Sequence, residues 1–219
     1  MCGRYFRRSD KQRIAEAFHL GKVPDGFVLP PWDYNVAPTT FQPVIRPNRD
    51  TGKRELVLMR WGMIPYFAKS LDQFKDLSTI NAKADTLLER PTWREAFKRH
   101  RCLVPADGLY EWPLPGKAIE PYETPAVETP LFPGTEAPRP KVKAPKPVKK
   151  VFAISVADDR PFAFAGLWDR WKDPAHPGAV LESYALVTTE PNELVASIHD
   201  GLALILKPED YDRWLTTDD

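Results

Sequence analysis

The sequence predicts an α+β fold, rich in β structure, with curved or barrel-like antiparallel sheets and peripheral helices. Three observations carry that reading. Apolar runs of strand length, ELVLMRWG (55–62), RCLVPADG (101–108), KVFAISV (150–156), FAFAGLW (162–168), SYALVTT (183–189) and LALIL (202–206), outnumber the helix-spaced segments and are bounded by Gly, Pro or Asp. There is no regular strand–helix alternation, internal repeat, GxGxxG or GxxxxGK, which argues against a doubly wound nucleotide-binding architecture. Finally, 219 residues with 42% hydrophobic and 11% aromatic content are enough for a buried core and exclude a wholly disordered chain.

In chain order, SDKQRIAEAFHLG (9–21) reads as a helix, with Ser9 as N-cap, Gln12 three residues on, Ile14 and Phe18 on one face, and Gly21 as the stop. PTWREAF (91–97) and PEDYDRWL (208–215) carry helix-spaced apolar residues with proline near the first turn. Ten of the 24 prolines fall between Pro113 and Pro147, in a stretch with neither helical nor strand periodicity. Proline fixes φ and removes an amide donor, so residues 116–149 read as an extended insertion within a single domain spanning 1–219.

Net charge is +1, yet residues 1–150 carry 26 Lys and Arg against 17 Asp and Glu, whereas residues 151–219 carry 5 against 13. Two readings stand: a basic face that attracts a polyanion, or charges that mix on the folded surface. The tract Arg139–Lys150, with six basic residues and no acid, reads first as a solvated spacer, with a nucleic-acid contact as the alternative. No run of eighteen apolar residues exists to cross a membrane, and no secretory pattern opens the chain. Two cysteines and four histidines supply neither a disulfide scaffold nor a metal site, so a reducing, cytoplasmic setting is expected, with no cofactor.

The opening MCGR carries the first chemical signal. Removal of Met1 would leave Cys2 with a thiol and an α-amine on one two-carbon unit, a 1,2-aminothiol that condenses with an aldehyde to an imine and closes to a thiazolidine. The α-amine, with an ordinary pKa of about 7.7–8.0, is partly neutral near pH 7. Position alone also allows an incidental small buried residue. Glu111, between Tyr110 and Trp112, is either a proton-transfer group with a raised pKa or a solvent-facing strand residue. Asn81 and Lys83 follow the β-branched pair Thr79 and Ile80, and His199, before Asp200 and an apolar run, is either a pocket-mouth imidazole or a structural histidine.

Seven segments then make a specific pattern: MCGRY at the start, YNVAP (34–38), MRWGMIP (59–65), INAKAD (80–85), RCLVPADGLYEW (101–112), FAGLW (164–168) and IHD (198–200). In order and spacing they resemble the SRAP family (SOS response-associated peptidase) over the whole chain apart from the proline-rich insertion. The resemblance implies a compact β-rich fold that recognises abasic sites in single-stranded DNA and joins to them covalently. It assigns Cys2 as nucleophile, Asn81 as the residue positioning the terminal amine or sugar, Glu111 as the proton-transfer residue and His199 as a polar partner of the opened deoxyribose. It further implies removal of Met1, by the protein itself or by a methionine aminopeptidase, and lyase-like chemistry. The implied partner is abasic single-stranded DNA, including replication forks and single-strand/double-strand junctions, in the cytoplasm and on the nucleoid. No membrane or obligate protein partner is implied.

Arg4 and Lys83 are the expected phosphate contacts, and Trp61 and Met63 are expected to stack on or wedge against bases, with a core role as the alternative. Two departures qualify the resemblance. Lys83 stands where the family has arginine, which keeps the charge and loses the bidentate fork. Gly201-Leu202-Ala203 replaces the family's arginine, methionine and proline after the His199-Asp200 pair. Weaker or differently oriented DNA binding with retained crosslinking is therefore expected. The competing functions are a noncovalent single-strand-binding module and a cysteine peptidase acting on other proteins.

Overall fold

The structure, a computed structural model, describes residues 2–21, 23–74, 79–114 and 150–216. The insertion expected at 116–149 lies outside the described residues, as does the basic tract from Arg139 except for Lys150. The elements run β1 (Tyr5–Arg7), α1 (Lys11–Ala17), β2 (Asp33–Val36), β3 (Phe41–Pro47), β4 (Arg54–Trp61), β5 (Asn81–Lys83), α2 (Pro91–Arg99), β6 (Arg101–Ala106), β7 (Gly108–Glu111) and β8 (Phe152–Ile154). They continue with β9 (Phe162–Lys172), β10 (Val180–Thr189), α3 (Glu193–Ala196), β11 (Leu202–Ala203), β12 (Ile205–Leu206) and α4 (Tyr211–Leu215).

Five strands close on themselves. β4 pairs with β3, β3 with β6, β6 with β9, β9 with β10, and β10 returns to β4. The result is the barrel-like sheet expected from the apolar runs, and the helices lie outside it. Most pairings are antiparallel, but β10 meets both β4 and β5 in parallel, with Tyr184 opposite Trp61 and Leu186 opposite Asn81. The barrel interior is filled by Val44, Met59, Trp61, Val104, Phe164 and Tyr184, all with 0% exposure. Each large apolar side chain of this kind contributes roughly 1.5–3 kcal/mol on burial.

A second sheet, in the order β2-β1-β7-β8, grows out of the barrel because only Asp107 separates β6 from β7. Its central pairing needs glycine at 108, where a Cβ would stand 2.1 Å from the Phe6 ring. Gly166 plays the same part inside the barrel, where a Cβ would come within 2.8 Å of the Cys102 sulfur.

The first helix departs from its expected cap. Ser9 is committed to Asp107, whose carboxylate accepts from the Ser9 hydroxyl at 2.7 Å and the Ser9 amide at 2.9 Å. The cap therefore moves one residue on, to Asp10, which accepts from the Arg13 amide at 2.8 Å. Asp107 thus joins the β6–β7 junction to the chain just after β1, fixing the strand that carries the N-terminus. No helix among the described residues is long and apolar enough to cross a membrane.

Candidate active site

Backbone pairing brings Cys2 to Glu111. β1 lies antiparallel to β7, Tyr5 opposite Leu109, and the Tyr110 amide donates to the Arg4 carbonyl at 3.0 Å. Following the two strands in opposite directions carries the N-terminus back along the end of β7, where Glu111 sits. Cys2 has 0% exposure and packs in the core cluster that holds Tyr5, Trp61 and Tyr184. Its thiol points to the Arg4 carbonyl at 3.6 Å.

A third element arrives from the barrel. β5 is held beside β10, and the Leu186 amide donates to the Ile80 carbonyl at 3.0 Å. That placement lets Asn81 Nδ2 donate to the Cys2 carbonyl at 2.9 Å. Asn81 Oδ1 and Glu111 Oε1 are buried acceptors without a hydrogen-bond partner among the described residues.

Electrostatics follow from the burial. Desolvation pushes the Glu111 carboxyl up to about 7, into the range where it both gives and takes protons near neutrality. Burial also pushes the Cys2 thiol up to about 12, with the Glu111 carboxylate adding to the rise. At neutral pH Cys2 is therefore a thiol rather than a thiolate. Beneath it the Tyr5 and Tyr184 hydroxyls share a hydrogen bond of 2.8 Å, and Tyr184 lies parallel to Trp61 with ring centroids 6.4 Å apart. Burial raises both phenols, so they stay neutral and serve as a fixed polar floor.

His199 follows α3, whose Val195 carbonyl accepts the His199 amide at 2.8 Å. Its Nδ1 stands 3.1 Å from the Gly201 amide and 3.2 Å from the Gly201 carbonyl. A neutral ring accepts the amide at Nδ1 and carries its proton on Nε2; an imidazolium donates to the carbonyl instead. His199 and Lys83 line one cleft of about 340 Å³ together with Asp85, Glu190, Asp200 and Gly201. In that lining three carboxylates face a single cation, so the place where arginine is replaced by Gly201 is poor in positive charge. A larger cavity, about 530 Å³, opens between α1 and α4 and contains none of the candidate reacting residues.

The phosphate and base contacts fare differently. Lys83 is exposed at the cleft, two residues from Asn81 and hence on the same face of β5. Arg4 is half-buried and folds back to donate to the Gly3 carbonyl at 2.7 Å. Trp61 and Met63 correct the expectation of base stacking: both have 0% exposure. Trp61 Nε1 donates to the Ile80 carbonyl at 3.1 Å, and Met63 packs in the cluster with Ala82 and Trp93. Their role here is to support β5 and the floor under Cys2. The aromatic that does reach solvent beside Glu111 is Trp112, at 39% exposure. The Tyr5–Tyr184 pair carries no sequence signal, because the partners are 179 residues apart and each reads as an ordinary strand aromatic.

This barrel, with a buried N-terminal cysteine against a raised carboxyl, defines the class: the chain belongs to the SOS response associated peptidase (SRAP) family, whose model matches residues 1–219. It is similar to the abasic site processing protein YoqW of Bacillus subtilis, 34% identical over 216 residues that cover 98% of this chain and 80% of that one. The abasic site processing protein HMCES of Xenopus tropicalis is 30% identical over 234 residues, covering 98% of this chain and 66% of the relative. A crystal structure of a Bacteroides thetaiotaomicron protein shares the fold with a TM-score of 0.75 at 24% identity, covering 99% of this chain and 82% of that one.

Proposed function

We propose that this protein processes abasic sites in single-stranded DNA by joining the Cys2 aminothiol to the sugar aldehyde. The observation that carries the reading is the meeting of three distant segments: Asn81 holds the Cys2 carbonyl at 2.9 Å, and Glu111 is close enough to raise the Cys2 thiol. The relatives' designation as abasic site processing proteins supports it.

The chemistry balances as follows. Hydrolysis of the Met1–Cys2 peptide bond releases methionine and frees the Cys2 amine. The neutral amine attacks C1′ of the open-chain sugar, and the aldehyde oxygen becomes a hydroxyl. Protonated Glu111 gives its proton as that hydroxyl leaves as water, forming the iminium, which keeps one N–H; the resulting carboxylate then takes the thiol proton as sulfur attacks the iminium carbon. The C–S bond completes the neutral thiazolidine and leaves Glu111 protonated as it began, so the adduct is protein plus DNA minus one water. A thiol pushed up to about 12 favours this order, with amine first and sulfur second.

The cleft that His199 shares with Lys83 supports a role for it as polar partner of the opened deoxyribose. Asn81 fixes the Cys2 carbonyl and so aims the amine. The burial of Cys2 between Asn81 and Glu111 supports cleavage of the protein's own Met1–Cys2 bond. It does not favour cleavage of other proteins, since a fully buried thiol pushed up to about 12 is a poor nucleophile toward a foreign peptide. A denaturing gel tests the reading: purified protein incubated with an abasic strand is expected to give a slower covalent band, and the same strand without the lesion none. Equal retention of both strands under native conditions with no covalent band would leave only the noncovalent binding module.

A further inference from the structure

A concentration of positive charge lies at the other end of β4 from Trp61. Arg99, His100 and Arg101, at the turn from α2 into β6, meet the β3–β4 hairpin around a cavity of about 500 Å³ that reaches Trp168. Among the described residues, four arginines, 49, 54, 99 and 101, line it against one carboxylate, Asp212. Arg54 pairs with Asp212 at 2.6 Å, and Arg101 Nε donates to the Phe97 carbonyl at 2.7 Å. Arg49 and Arg99 are held differently. Both are exposed; Arg99 reaches Glu95 only at 3.9 Å, and Arg49 stands 3.5 Å from the His100 ring.

The pocket is a built one. His100 packs on Trp168 with centroids 4.4 Å apart, and Arg46 lies over the same indole at 4.3 Å. Trp168 Nε1 is a buried donor with no partner among the described residues. Burial pushes the His100 imidazole down, Asp169 offsets part of that, and Arg49, Arg46 and Arg99 push it further down, which locates their combined positive field at this spot.

α2 runs between the pocket and β5: Arg99 at its C-terminal end lines the pocket, and Trp93 near its start packs in one cluster with Ala82. Its apolar face, Trp93 and Ala96, is buried, while Arg94 and Lys98, four residues apart, share an exposed edge. The helix begins eight residues after Lys83 and spans about 13 Å. Glu95, intermediate in exposure, is the one acid within the helix. The cleft itself lines Lys83 with Asp85, Glu190 and Asp200, so the attraction for a polyanion engaged there comes from cations outside that lining, those of α2 and the arginine pocket.

We propose that the exposed edge of α2 and the arginine pocket at its end form a phosphate track, on which single-stranded DNA engaged at the reaction cleft lays its backbone at Arg94, Lys98, Arg99 and Arg49. The inference rests on the abasic-site reading for the identity of the strand. Its cations are spread between the edge of α2 and the pocket at its end instead of surrounding a single point, which suits a polymer's phosphates better than one small ligand.

The test uses two double variants, Arg94→Gln with Lys98→Gln and Arg49→Gln with Arg99→Gln, and undamaged single strands of increasing length at several salt concentrations. On long strands each double variant is expected to lower the log–log salt slope by about 1.4, two contacts at about 0.7 each, while strands too short to leave the cleft bind as they do to the unmodified protein. Covalent yield on saturating abasic DNA is expected to stay unchanged. Equal affinity and slope at every length would overturn the track. So would variants that lose binding of pyrophosphate, tested as a free ligand, with no dependence on strand length, because the pocket would then serve a small phosphorylated molecule. Failure of the unmodified protein to form any adduct would overturn the abasic-site reading, whereas the length series with undamaged strands would still decide the track.

Discussion

Asn81 Nδ2 donates to the carbonyl oxygen of Cys2 at 2.9 Å, tying the N-terminus to a strand 79 residues further along the chain. The bond is buried and holds the backbone of Cys2, the proposed nucleophile. Replacing Asn81 by Ala leaves the carbonyl without its donor, so a loss of about 1–3 kcal/mol in stability is expected. Denaturant unfolding measures that loss, and single-turnover kinetics at saturating abasic DNA are expected to show slower crosslinking. An unchanged rate would reduce Asn81 to a structural tie.

Glu111→Gln keeps the side chain's shape and removes its ability to move protons. Crosslinking is expected to slow by roughly 10²- to 10⁴-fold, with noncovalent affinity for undamaged single strands nearly unchanged. Single-turnover rates and equilibrium binding separate the two effects.

The same substitution has a stability signature whose sign follows from burial. The folded-state carboxyl is raised to about 7 from 4.5, so between those values the unfolded chain has ionised while the folded one holds its proton. Stability therefore falls as pH rises from about 4.5 to about 7, by on the order of 3 kcal/mol. Glu111→Gln is expected to remove that fall and to be more stable than the unmodified protein above pH 7. Unfolding curves across pH 4–8 test it; parallel pH profiles for the two proteins would contradict it.

Gly201→Arg returns a cation to the carboxylate-lined cleft beside His199 and Lys83. Tighter binding of single-stranded DNA is expected, with a salt slope steeper by about 0.7 if the new guanidinium reaches one phosphate. Fluorescence anisotropy at several salt concentrations reads both quantities.

Deleting residues 120–147 is expected to leave the fold and the Cys2 chemistry intact, because a proline-rich stretch supplies few core contacts. A melting temperature near that of the full chain, together with full covalent yield on saturating abasic DNA, is the expected result. Lost yield at saturation would place the segment inside the functional core.

The barrel strands β4, β6, β9 and β10 were legible because each is an apolar run bounded by Gly, Pro or Asp. β3 was not, since Pro43 and Pro47 argue against a paired strand; it is accommodated because its only registered pair with β6 is Ile45 with Leu103. The parallel contacts of β10 with β4 and β5 had no local signal at all. Within the site, Cys2, Asn81 and Glu111 were each visible as residues in unusual settings, but their meeting depends on barrel closure and on β1 docking along β7. Trp61 and Met63 show the opposite limit: an aromatic and a methionine around a glycine look the same in sequence whether they face a base or the core, and here the core takes both, Trp61 inside the barrel and Met63 in the cluster under α2.

The central claim is that the Cys2 aminothiol itself carries the linkage, and intact mass tests it most directly. Purified protein is expected to lack Met1, and after incubation with an abasic strand its mass is expected to rise by that of the DNA less one water, whereas Cys2→Ala, still folded, shows no rise. A full-yield adduct on protein that retains Met1, or an undiminished adduct on Cys2→Ala, would contradict the account.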